Sequence, residues 1–158
     1  MKKFELTSEF VTFLGKKLFR IKALVSFGDV KEGELGGLVE KEENLDQSGD
    51  AWVYGNARVY GDARVSGDAR VYGDAWVSGD ARVQNCRDYS ATSCFGSGNR
   101  TTTFFRTKDG GISVRCGCFY GTLNEFREKV KERHGDSRLA KEYLMLADLM
   151  EFRLSKDE

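Results

Sequence analysis

Proline is missing from this chain altogether, and histidine occurs once, at His134. Without proline the turns fall to the 18 glycines, which enter positive φ at no steric cost. A single histidine counts against a site built from three imidazole ligands, and it leaves an acid–base enzyme short of its commonest general base. Net charge is lacking too. Lysine plus arginine number 25, as do aspartate plus glutamate, so no global field points to a nucleic-acid duplex or an anionic membrane. No run of about eighteen apolar residues exists that could span a bilayer. The first residues reach Glu5 at once and offer no apolar core of a secretory signal. A cytoplasmic protein with reduced thiols is the expectation.

What the chain does have is a repeat. Alanine recurs every six residues at Ala51, Ala57, Ala63, Ala69, Ala75 and Ala81, with valine two residues later from Val53 to Val83. A glycine followed by Asp or Asn precedes each alanine, at Gly49-Asp50, Gly55-Asn56 and so on to Gly79-Asp80. In a strand the first and third residues of Ala-x-Val share a face, so that apolar face is the interior. The Gly-Asp/Asn pair supplies a tight corner. A flat sheet of such tiny hairpins would not pair stably. The fold predicted is mainly β: a short left-handed parallel β-helix over 49–86, with three hexapeptides per turn.

Eighteen residues per turn fixes the outward stacks. Trp52 is predicted over Arg70, Arg58 over Trp76, Arg64 over Arg82, Tyr54 over Tyr72 and Tyr60 over Ser78. The two Trp–Arg pairs are attractive, whereas the Arg64–Arg82 pair repels unless an anion or a carboxylate lies nearby. These stacks are ordinary cross-strand pairing or a surface that meets a subunit or ligand. So thin a core is marginal alone; it needs caps, and a homotrimer is the expected assembly.

Residues 1–48 read as an N-terminal β cap. A strand over 17–24 pairs with 10–14 through Gly15-Lys16, residues 33–38 turn the chain, and 44–50 form a degenerate first repeat. Residues 87–158 read as a small α+β module. Its loop over 90–99 precedes a hairpin of 101–107 with 112–116. A capping box at Thr122 and Glu125 opens a helix that Gly135 ends. A second helix runs over 137–152, with Leu139, Tyr143, Leu146 and Met150 on one stripe.

Candidate chemistry is sparse. His134 stands at a helix end, where the dipole favours it. Cys86, Cys94, Cys116 and Cys118 are buried thiols, a zinc set or a redox group, and the Cys-x-Cys spacing is tighter than zinc pairs favour. The stretch from Gly96 to Thr103 gathers small residues, hydroxyls and a guanidinium ahead of Phe104-Phe105. Such a set can hold a phosphate or nucleotide, though it is also ordinary loop material. The candidate ligand residues are Ser97, Asn99, Arg100, Thr101, Thr102 and Thr103, with Arg115 as an outlying choice.

The run at 33–39, then Asn44-Leu45 and residues 49–57, resembles phage and prophage hexapeptide-repeat proteins. Residues 99–105 and 116–126 are similar to a module of phage proteins. The resemblance implies a phage protein acting in the host cytoplasm and carries no activity over, since fold does not fix function. The leading expectation is a non-catalytic trimer without cofactor, which sequesters a nucleotide-derived immune signal or docks on a host defence protein. An acyltransferase-like enzyme using acetyl-coenzyme A and a structural component of a virion are the alternatives.

Overall fold

The structure, a computed structural model, describes residues 2–93, 101–117 and 119–155. The repeats form six two-residue strands: β4 (Trp52–Val53), β5 (Arg58–Val59), β6 (Arg64–Val65), β7 (Arg70–Val71), β8 (Trp76–Val77) and β9 (Arg82–Val83). They pair in parallel at a separation of eighteen residues: Trp52 with Arg70, Arg58 with Trp76, Arg64 with Arg82. That is the register the hexapeptide period demands, and it defines a β-solenoid with three ladders. We call β4–β7 the first ladder, β5–β8 the second and β6–β9 the third. Each repeat alanine and valine is buried. At the corners, Gly49 through Gly79 hold φ between 57° and 74°, a region that a side chain enters only with strain.

Upstream, β1 (Phe4–Phe13) and β2 (Lys16–Ala23) form the expected antiparallel hairpin. Residues 33–38 do more than turn. Leu35–Val39 is a strand, β3, which pairs antiparallel with β2 and parallel with β5. The hairpin therefore continues the second ladder into a sheet ordered β1-β2-β3-β5-β8. The glycines that read as turn residues are there for closeness. A Cβ on Gly36 would meet Val53 O at 2.6 Å, and one on Gly37 would meet Val53 Cγ1 at 2.5 Å. The degenerate repeat also joins the stack, with Leu45 bridging in parallel to Val65. Its offset is twenty residues rather than eighteen, because Gln47 and Ser48 are extra before Asp50 regains register on Gly67.

Downstream, β10 (Tyr89–Thr92), β11 (Thr102–Arg106), β12 (Ile112–Cys116) and β13 (Phe119–Thr122) form an antiparallel sheet in that order. Part of the predicted loop, 90–92, is thus the end of β10. Helices α1 (Leu123–His134) and α2 (Arg138–Leu154) follow. The predicted capping box holds, Thr122 accepting from Glu125 N–H, and Gly135 ends α1 at φ 58°. Strand periodicity sends neighbouring side chains of β11 into different cores. Phe104 packs with Phe126, Tyr143 and Met150 of the helices, and Phe105 packs with the alanines and valines of the solenoid. At the opposite end Phe4, Ile21, Ala23 and Val30 close the same solenoid core.

The outward stacks are kept in register but not all in contact. Arg58 lies over the ring of Phe13, 4.4 Å away, and within 5.9 Å of the Trp76 ring, which packs edge-on to Phe13. Tyr54 stacks on Tyr72 with centroids 4.8 Å apart. Trp52 is instead fully buried, edge-on to Phe4 and Phe27, and Arg70 turns to Asp29 at 3.1 Å. Burying an indole under two phenyl rings gains more than an exposed cation–π contact. Among the described residues no helix is long and apolar enough to cross a membrane.

Candidate functional site

The last strands of a parallel stack leave backbone donors and acceptors without a next layer, and each must find a partner. The C-terminal sheet supplies them. On the first ladder the Tyr89 hydroxyl donates to Arg70 O at 2.7 Å and accepts from Tyr72 N–H at 3.2 Å. On the second, Thr103 Oγ1 accepts from Trp76 N–H at 3.0 Å. By the third, Lys108 N–H donates to Asp80 O at 2.9 Å, and Ala81 bridges to Thr107. Burial pushes the Tyr89 phenol up.

At the other end the cap is an amine. Lys3 Nζ donates to Ala51 O at 2.8 Å and Gly49 O at 3.3 Å, and lies 4.8 Å from the centre of the Phe27 ring. Burial lowers its pKa to about 8, against an opposing pull from Asp46 and Asp50. Asn44 Nδ2 joins it, donating to Gly61 O and Ala63 O.

These caps decide where the candidate ligand residues stand. Thr103 is buried with its hydroxyl engaged on Trp76. Thr102 points the other way, buried, and donates to Cys116 Sγ at 3.2 Å. Both hydroxyls are thus spent inside the protein. Thr101 is half-buried and its Oγ1 lies 3.0 Å from Ser93 Oγ. Arg115 sits 5.8 Å from the ring centres of both Tyr60 and Tyr120, and its Nε is buried without a hydrogen-bond partner among the described residues. Ser97, Asn99 and Arg100 lie outside the described residues, as do Cys94 and Cys118. Cys86 is exposed, and Cys116 is half-buried. His134 stacks on Tyr143, centroids 5.7 Å apart, at the end of α1.

Thr101 and Ser93 line a groove of about 410 Å³ between the last layer of the solenoid and β10, together with Tyr72, Asp74, Ser90 and Arg153. Tyr72 is 46% exposed, with one face of its ring on Tyr54. Arg153 anchors one end by donating to Cys86 O at 3.2 Å, and no carboxylate among the described residues pairs with it. The groove therefore offers an aromatic surface, a guanidinium and three hydroxyls within one concavity. The sequence period places Tyr72 on Tyr54 in a stack that is either ordinary pairing or a surface for a subunit or ligand, without joining it to the Thr101 region. Nothing in the sequence singled out Arg153, which reaches the groove only because α2 ends beside the solenoid.

A family model of the YdcK β-solenoid repeat matches residues 51–67 and 63–79. The repeats are thus similar to that solenoid, over the segment where the parallel ladders are seen. No curated protein matches the chain.

Proposed function

We propose that this chain is a non-catalytic binding protein, and that the groove at Tyr72 takes a nucleotide-like small molecule. One observation carries the reading: Tyr72, Arg153 and the hydroxyls of Ser90, Ser93 and Thr101 converge on one cavity of suitable size. An exposed aromatic face stacks a base. A guanidinium that no described carboxylate pairs with meets a phosphate, and hydroxyls serve a ribose. Ser97, Asn99 and Arg100 belong to this proposal as the residues that lead into Thr101.

The wider setting is part of the same proposal. The solenoid is left-handed, three chains assemble around it, and the protein is a phage product that sequesters a nucleotide-derived immune signal in the host cytoplasm. The eighteen-residue register with an alanine–valine interior supports the handedness, and a core so few layers deep supports assembly. Titration calorimetry of the full chain with cyclic and ADP-ribose-type nucleotides tests the reading. Binding should weaken by about tenfold in Tyr72→Ala and in Arg153→Gln. Silence across the panel, or binding indifferent to both substitutions, rejects it. Light scattering that gives a monomer rejects the trimer alone.

A further inference from the structure

The three ladders differ in what lies over them. Phe27 and Asp29 reach the first, at Trp52 and Arg70. The β1–β2 hairpin covers the second, with Phe13 set against Tyr60 and Trp76. On the third, Arg64 is exposed directly over Arg82. Ladder neighbours stand only about 4.8 Å apart, so two like charges are held in register on an open surface.

Among the described residues, no carboxylate lies within ion-pair distance of either arginine. Arg82 is fixed all the same, because its Nη1 donates to Asp62 O and Ala81 O, each at 2.8 Å. Backbone carbonyls thus orient the guanidinium without cancelling its charge. A groove of about 250 Å³ beside the pair is lined by Lys41, Arg64, Arg82 and Lys108 against Glu43 and Asp62. The Asp62 carboxylate is taken by Lys41 at 3.3 Å, and Lys108 is held at the rim through its own backbone on Asp80. Arg64 and Arg82 also border a second groove, of about 610 Å³, with Glu42, Glu43 and Asp46, where Glu42 is engaged with Lys2 and Gln47. The cationic excess faces the smaller groove.

We infer that the open third ladder is an anion site, in which Arg64 and Arg82, flanked by Lys41 and Lys108, bind a phosphate or diphosphate group. A tetrahedral oxyanion that bridges two neighbouring guanidinium groups accepts charge-assisted bonds from both and offsets their repulsion. The site is separate from the groove at Tyr72, and neither needs the other.

Calorimetry of the full chain at low salt, with inorganic pyrophosphate and then inorganic phosphate, tests it. Saturable binding is expected, tighter for pyrophosphate and weakened by added salt. Arg64→Gln and Arg82→Gln should each lower affinity by about tenfold. Among the described residues the Arg64 side chain makes no hydrogen bond or ion pair, its bond to Ala81 O being from the backbone. Its variant therefore reports on binding even if Arg82→Gln lowers the melting temperature. Asp62→Asn should raise the affinity. The inference fails if no heat appears, if binding survives both glutamine variants, or if Asp62→Asn destabilises the chain without any gain in affinity. The last outcome would make Asp62 the counterion of the pair.

Discussion

The two ends of the solenoid face the same deficit and meet it differently. At the end near β3 an ammonium group is buried to reach two carbonyls, Gly49 O and Ala51 O. At the far end the partners are neutral, the hydroxyls of Tyr89 and Thr103 and the backbone of Lys108. A hydroxyl both donates and accepts, so Tyr89 satisfies two backbone groups of one strand. An ammonium only donates, and taking it out of water is costly. The first cap should therefore begin to respond to pH near 8, before the Tyr89 phenol titrates, and the second should not.

The apolar plugs set the largest effect, and there the ends should look alike. Phe4→Ala and Phe105→Ala each empty a fully buried ring position, and a loss of about 3–5 kcal/mol is expected from either in urea unfolding. If one variant loses far less, that end is not a true plug. Next comes pH. The Lys3 pKa is about 8 in the folded chain against 10.5 ordinarily, so between these values the unfolded chain binds more protons. Stability should rise across that window, by up to ~3 kcal/mol, and Lys3→Met should flatten the rise. A wild-type profile that is flat from pH 8 to 10.5 would remove the contrast between the ends.

Single hydroxyls come third. Tyr89→Phe and Thr103→Val keep the shape and strip the bonds to Arg70, Tyr72 and Trp76. Each should cost about 1–3 kcal/mol, read by thermal or chemical unfolding, because backbone groups are left unpaired. The smallest effect has the opposite sign to that of Lys3. Burial raises the Tyr89 phenol above its ordinary 10.0, so its contribution is complete below that pH and fades as pH climbs further. Tyr89→Phe should blunt that alkaline loss.

The repeats were readable because their information is periodic and local. An alanine and a valine every six residues state both the buried face and the stacking partner, and Trp52–Arg70, Arg58–Trp76 and Arg64–Arg82 appear in the structure as the period requires. The helices were legible for a similar reason, their caps at Thr122 and Ser137 being short-range signals. β3 was missed because Gly36 and Gly37 look like a turn; nothing local says that a neighbouring backbone will press against them. The candidate site was the least legible part. Its threonines read as ligand donors by composition, yet strand alternation sends Thr102 inward to Cys116 and Thr103 to the solenoid edge. Arg153 and Tyr72 are 81 positions apart in sequence and meet only through the docking of α2.

The fixed offset of eighteen residues between layers also sets how this molecule can change length. An insertion of one whole turn between the caps returns every ladder to its own axis, so Tyr89, Thr103 and Lys108 still arrive at the strands they close. An insertion of a single hexapeptide advances the chain by one ladder. It would bring the Tyr89 hydroxyl to a strand whose neighbours expect Thr103, with a ring where a methyl and a hydroxyl fit. Growth and loss are thus quantised by the geometry of the ends rather than by the repeat unit itself. The hexapeptide is the unit of sequence, and three of them are the unit of viable change.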